Sequence, residues 1–214
     1  SARGFWKNHT VNTIPNGLPL ELYSPIDKKL AREEIGIHSE NPVLLAAALD
    51  FNERRKGGNF LIEALNDIYD NPITLITFGK RKMELNNSNI KLKNFGYVSE
   101  RTKILAYNSA DFYIHTATVD NQPNTVLESI ACGTPVIGFS IGGVPDMVRP
   151  EKTGWLVKDL SSISLASTIQ QALSNSQEHD SMKKQCRRIA EGEYSVELQA
   201  ERYIRFFEKI FNSS

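Results

Sequence analysis

The sequence predicts an α/β fold built on a doubly wound parallel sheet. Three observations carry that expectation. From residue 43 onward, short apolar runs alternate with longer amphipathic ones. The apolar runs are continuous rather than alternating, as strands buried on both faces require. Glycine and polar clusters separate the segments, so each reads as one element of a βαβ unit with a right-handed crossover.

Taken in order, Val43 to Leu49 (VLLAAAL) is the first buried strand, followed by the polar, basic loop DFNERRKGG. Asn59 to Tyr69 places Phe60, Leu61, Ala64, Leu65 and Ile68 at helical spacing. Ile73 to Phe78 is a strand stopped by Gly79. Ile90 to Phe95 interleaves Lys91, Lys93 and Asn94 with apolar residues and reads as a more exposed strand. Ser99 caps a helix to Asn108. Asp111 to Thr116 is a strand, Asn124 to Cys132 a helix and Thr134 to Phe139 a strand. A short helix begins at Pro145, Gly154 to Val157 is a last short strand, and Ser161 to Phe211 holds two or three helices. The architecture is therefore Rossmann-like with C-terminal helices. Residues 1–12 carry no period and are expected to be a disordered or boundary lead-in, which leaves 13–214 as the domain.

Composition narrows the function classes. The 214 residues carry 25 basic and 25 acidic side chains, so no global field favours nucleic acid. No apolar run approaches the roughly 20 residues a membrane-spanning helix needs, and residues 1–12 contain no hydrophobic signal core. Cys132 and Cys186 have no metal-ligand spacing and are too few for a disulfide framework, so no metal site and a cytoplasmic setting are expected.

In open parallel sheets ligands bind beyond the carboxyl ends of the strands. The loops at issue are Asp50–Gly58, Gly79–Lys82, Gly96–Glu100, Ala117–Asn124 and Ser140–Val144. Residues 118 to 149, TVDNQPNTVLESIACGTPVIGFSIGGVPDMVR, are the most informative stretch. Pro123-Asn124 starts a helix, with Asn124 as N-cap and the backbone N–H groups of Thr125, Val126 and Leu127 free for a phosphate. Glu128, one turn later on the same face, accepts hydrogen bonds only and suits ribose hydroxyls. Arg54, Arg55 and Lys56 supply compensating charge for a diphosphate, and Asp120 can accept from sugar hydroxyls. Singly, each has an ordinary explanation. Glu128 is then a helix-dipole residue, Arg54 to Lys56 a solvated loop, Gly142-Gly143 a turn, His115 a satisfied core histidine and Lys91 with Lys93 a solvent-facing edge.

The order of these features resembles the retaining glycosyltransferases of the GT-B class, family 4. The match runs through Asp120-x7-Glu128 and ACGTPVIGFSIGGVPDMV. Around it lie Ile14-Pro15-Asn16-Gly17 with Tyr23-Ser24-Pro25, Arg55-Lys56-Gly57, Phe95-Gly96-Tyr97-Val98 and Thr153-Gly154-Trp155-Leu156-Val157. The resemblance covers roughly residues 13 to 210. It departs from the family at two positions: Asp120 stands where glutamate is more usual, and Phe51 where an arginine precedes the basic loop.

The resemblance implies that this is one half of a GT-B fold, the half that binds a UDP-, GDP- or ADP-sugar. Glu128 would hold the ribose, the backbone of Asn124, Thr125 and Val126 the distal phosphate, and Lys56 with Arg55 or Arg54 the diphosphate as it departs. Asp120 would hold the donor sugar, and Gly96, Tyr97 and Val98 would meet the base through their backbone. No bound metal is implied. A glycan or lipid acceptor would be supplied through a further N-terminal domain, and a lipid acceptor admits peripheral association at the inner face of a membrane. The final helix, with Tyr203, Ile204, Phe206, Phe207 and Ile210, would pack toward that domain and expose apolar surface without it. The competing readings are a sugar-nucleotide epimerase and a non-catalytic nucleotide-binding module.

Overall fold

The computed structural model describes residues 11–68, 72–80, 83–175 and 178–212. Residues 1–10 of the expected 1–12 lead-in, the helix end at Tyr69 and the loop positions Arg81 and Lys82 lie outside them. Six strands, β1 (Val43–Ala47), β2 (Ile73–Phe78), β3 (Ile90–Gly96), β4 (Phe112–His115), β5 (Val136–Phe139) and β6 (Gly154–Val157), form one sheet. Its order is β3-β2-β1-β4-β5-β6, and every neighbouring pair is parallel. The strand order reverses between β1 and β4, the switch point where a doubly wound sheet leaves a crevice.

Both faces of the sheet are covered, which is why the strands read as continuous apolar runs. Val43 and Leu45 of β1 and Tyr113 of β4 point to one face. There they meet Tyr107 of α3 (Glu100–Ser109), Val126 and Ile130 of α4 (Asn124–Ala131) and Cys186 and Ile189 of α7 (His179–Glu193). Leu44, Ala46, Phe112 and Ile114 point to the other. They pack on Leu61 and Leu65 of α2 (Gly58–Asn66) and Leu165 and Ile169 of α6 (Ser162–Ser174). Both cysteines are buried and free.

The C-terminal helices number three, since α8 (Val196–Phe211) follows α6 and α7. Ser195 caps α8 through the Leu198 N–H. None of the α8 residues is buried, and Tyr203, Ile204, Phe207, Ile210 and Phe211 are exposed. The expected apolar surface is therefore present. No helix among the described residues is long and apolar enough to cross a membrane.

Two local expectations change. A helix absent from the sequence reading, α1 (Lys28–Glu34), is capped by Asp27, whose carboxylate accepts from the Leu30 N–H. It has one buried residue, Ala31, too few for a helical period to register. On the edge strand β3, Lys91 is exposed as expected but Lys93 is not a free solvent-facing lysine. Its ammonium donates to the carbonyls of Ile35 (2.6 Å) and Gly36 (2.9 Å), the groups that end α1. The short helix expected from Pro145 is α5 (Val144–Met147).

Candidate functional site: a cleft at the switch point

A cleft of about 480 Å³ opens beyond the carboxyl ends of β1 to β4. Its lining includes Ala47 to Leu49, Arg55, Lys56, Gly96, Tyr97, Val98, Lys103, His115 and Thr125. A larger recess, about 790 Å³, lies at the amino ends of β1 and β4 around Lys28, Arg32, Asp111 and His179. There the Asp111 carboxylate is bound by Lys28, by Arg32 (2.9 Å) and by the Val43 N–H (2.6 Å). Burial raises its pKa, but these partners outweigh that and hold it below the usual carboxylate range. That recess surrounds a carboxylate held by two cations; the convergent loops all lie at the other end.

The loops after β1 and β4 are joined. The Arg54–Lys56 segment forms a single 3₁₀ turn, and Gly57 follows it with φ +64°. A Cβ at Gly57 would stand 1.9 Å from the Thr116 carbonyl oxygen, so only glycine allows this approach. Thr116 Oγ1 donates to the Lys56 carbonyl (2.9 Å), and the Thr118 N–H donates to that of Arg55 (2.8 Å). Lys56 Nζ then sits 3.6 Å from Asp120 Oδ2 across the switch point. Arg55 reaches the cleft while paired with Glu53 at 2.8 Å. Arg54 is exposed and does not line the cleft.

Gly142 and Gly143 do more than make a turn. A Cβ on Gly142 would meet the Asp120 carbonyl oxygen at 1.8 Å, and one on Gly143 that of Asn121 at 1.8 Å. The pair is a bare backbone shelf against which the Asp120 loop rests. The Asn16 N–H donates to Gln122 Oε1 (2.9 Å), which ties the Pro15-Asn16-Gly17 turn to the same loop.

The start of α4 needs correction. Its N-cap is Pro123, Asn124 is the first helical residue, and no side chain caps the helix. Proline suits this position because it sets the extended φ without needing a donor. The N–H groups of Val126 (3.0 Å) and Leu127 (3.3 Å) both go to the Pro123 carbonyl, and the Val126 side chain is fully buried. Of Asn124, Thr125 and Val126, only Thr125 lines the cleft.

Glu128 is 7% exposed and already engaged. Oε1 is 3.0 Å from Lys103 Nζ and 3.3 Å from the Tyr23 hydroxyl, and Oε2 accepts from Tyr107 at 2.8 Å. Tyr23 donates to Glu100, which Lys103 also reaches at 3.1 Å. Burial would lower the Lys103 pKa, but the carboxylates of Glu128 and Glu100 overcome it and hold the ammonium above its ordinary range. Burial and Glu128 push the Tyr107 hydroxyl far up, so it stays a proton donor. Lys103, not Glu128, is the member of this network that lines the cleft. Sequence reasoning missed Lys103, although Glu100, Lys103 and Tyr107 stand at i, i+3 and i+7 on α3, one face of that helix.

His115 also departs from expectation. It is 4% exposed, yet among the described residues neither ring nitrogen has a hydrogen-bond partner. It is not a satisfied core histidine. Burial pushes its pKa down to about 4, with Asp120 pulling it up and Lys56 pushing it further down. Among the described residues no group of three or more His, Cys, Asp or Glu side chains is placed to hold a metal ion.

A sheet of order 3-2-1-4-5-6 with its cleft at the β1/β4 switch defines a Rossmann-like domain. The chain belongs to the family Glycosyl transferases group 1, whose profile matches residues 27–189. It is similar to spore coat protein SA of Bacillus subtilis, at 27% identity over 92% of this chain and 58% of that protein. It is also similar to a GDP-mannose-dependent monoacylated alpha-(1-6)-phosphatidylinositol monomannoside mannosyltransferase of Corynebacterium glutamicum, at 25% over 92% and 56%. Among solved structures, sucrose-phosphate synthase from Thermosynechococcus elongatus shares the fold with a TM-score of 0.81 and 23% identity. That match covers 99% of this chain and 56% of that one. Anabaena HepE, solved in complex with UDP-glucose, matches with a TM-score of 0.77 at 21% identity over 92% and 57%. The chain spans just over half the length of the curated relatives named.

Proposed function

We propose that this domain binds a nucleotide diphosphate-sugar in the switch-point cleft, as the donor half of a retaining glycosyltransferase acting on a glycan or lipid acceptor. The observation that carries the reading is the meeting of Lys56 and Asp120 across the switch point, beside the first turn of α4. A cation and a helix N-terminus converge there on a space suited to a diphosphate. Lys56 and the Thr125 N–H stabilise the negative charge that grows on the departing diphosphate, without need of a divalent metal. Asp120 releases Lys56 to the phosphates and accepts from hydroxyls of the sugar. Arg55 adds charge from the rim.

At the other end of the cleft, Gly96, Tyr97 and Val98 meet the base. Glu128 carries about four acceptor sites, and Lys103 and Tyr107 each use one. The remaining capacity takes a ribose hydroxyl once Lys103 swings toward the ligand. UDP-glucose and GDP-mannose are the donors suggested by the relatives, and ADP-sugars complete the set to be tried. The exposed face of α8 supports docking of an acceptor-binding domain.

The test uses a longer protein containing this domain, supplied with UDP-, GDP- and ADP-sugars and candidate acceptors. Sugar transfer with retained anomeric configuration is the expected result. Interconversion of the free nucleotide-sugar would identify an epimerase instead, and binding without turnover a regulatory module.

A further inference from the structure

His115 is the last residue of β4 and lines the cleft, and both its ring nitrogens lack a protein partner among the described residues. Buried polar groups are nearly always hydrogen-bonded, so an imidazole buried with neither nitrogen partnered asks for an explanation. Its surroundings hold it in place without satisfying it. Its ring is 6.1 Å from that of Tyr113, and Gly138 of β5 packs so close that a Cβ there would come within 3.3 Å of the His115 Cβ. Nothing in that packing calls for a polar ring; a phenylalanine of similar size would serve as well.

Its place in the sheet says which part of a ligand it would meet. The base-facing turn at Gly96 to Val98 begins at the last residue of β3, and His115 ends β4, three strand spacings away in the order β3-β2-β1-β4. That is roughly 14 Å across the cleft, about the reach from a base to its diphosphate. The charged groups facing His115 are Lys56, from the loop after β1, and Asp120, from the loop after β4. The neighbouring cleft residue on α4 is Thr125.

We propose that His115 is a further donor-contact residue, a neutral imidazole on the cleft floor that gives its N–H to a diphosphate oxygen of the bound nucleotide and keeps its other nitrogen as an acceptor for a hydroxyl of the transferred sugar. It rests on the donor-site reading above and adds to it a floor contact that Lys56 cannot make. A point cation is indifferent to orientation, whereas an imidazole fixed by a strand supplies one directed donor and one directed acceptor. His115 thus sets the register of the diphosphate along the cleft and is a positioning and specificity contact.

The test is isothermal titration of this chain and of H115F with UDP, GDP and ADP, and with the matching nucleoside. It is joined by long-range proton–nitrogen spectra of the histidine rings. The wild type is expected to bind one diphosphate, H115F to bind the same one about tenfold more weakly, and both to bind the nucleoside alike. The His115 ring nitrogens should shift on adding the diphosphate and stay put with the nucleoside, a response that a merely structural histidine would not give. H115N, which keeps a donor and an acceptor on a shorter side chain, should recover part of the affinity. Equal affinities for wild type and H115F, with unmoved ring signals, would overturn the inference and leave the donor site standing. Absence of any diphosphate binding by the wild type would remove the donor-site reading and this contact with it.

Discussion

Lys103 Nζ lies 3.0 Å from Glu128 Oε1, so the carboxylate at the heart of the acidic-x7-Glu pattern is held by a helix that the pattern does not include. The contact joins α3 to α4 across 25 residues of sequence and is backed by hydrogen bonding from Tyr107. Removing the carboxylate strands an ammonium and a buried phenol, and that sets the first expectation.

Glu128→Ala should lower stability by about 2 kcal/mol, less than a fully buried pair would cost because Lys103 retains some solvent. The melting temperature should fall by roughly 4–8 °C, followed by circular dichroism. Glu128→Gln, which keeps an acceptor for Tyr107, should lose about half as much. Lys103→Met combined with Glu128→Ala should cost less than the two single losses added together, since one interaction is counted twice.

Gly142→Ala should disturb the cleft without touching a ligand. The added methyl meets the Asp120 carbonyl at 1.8 Å, and the residue holds φ +51°. Strain and displacement together should cost about 2 kcal/mol or more. Thermal denaturation should show the loss, and nucleotide titration should show weakened binding because the Asp120–Lys56 meeting is displaced. Gly192→Ala is the control, because that glycine has open space around it.

These two relationships mark the limit of what was legible in the sequence. Strand positions, the doubly wound parallel class and the loops forming the cleft follow from apolar runs and turn residues, which are local properties. Lys56, Arg55, Thr125, Tyr97 and Val98 all line the cleft. Lys103 shares a helix face with Glu100 and Tyr107, but its partner Glu128 is set by how two helices pack, which that spacing does not encode. Side-chain capping preference points to Asn124 as N-cap, whereas the helix starts after Pro123 on backbone geometry alone. His115 looked like core because in a strand covered on both faces burial does not alternate, and only its place at the strand's carboxyl end opens it to the cleft.

His115 should leave its mark on acid stability. Its folded pKa, about 4, lies below the ordinary 6.5, so between those values the unfolded chain binds more protons than the folded one. Stability contributed by the neutral ring is therefore full above pH 6.5 and lost as pH falls toward 4, up to about 3 kcal/mol in all. Urea denaturation at intervals from pH 7 to pH 4 should show this limb in the wild type and a flatter one in His115→Phe. The steeper loss expected below that window belongs in part to Asp111, whose pKa is held low by its partners.

The exposed face of α8 should make this chain associate with itself. Ile204, Phe207 and Ile210 are each about half exposed on one helix. Analytical ultracentrifugation should show concentration-dependent association that Ile204→Glu with Phe207→Glu abolishes. The double variant should keep its nucleotide affinity, since α8 contributes nothing to the cleft lining.

The central claim, that the β1/β4 switch point is a nucleotide diphosphate site, is met most directly by calorimetric titration of this chain with UDP, GDP and ADP in the presence of EDTA. Saturable binding of one of them, weakened about tenfold or more in Lys56→Ala while nucleoside binding is unchanged, is the predicted result. Failure of all three to bind, or binding that requires a divalent metal and ignores the Lys56 substitution, would contradict it.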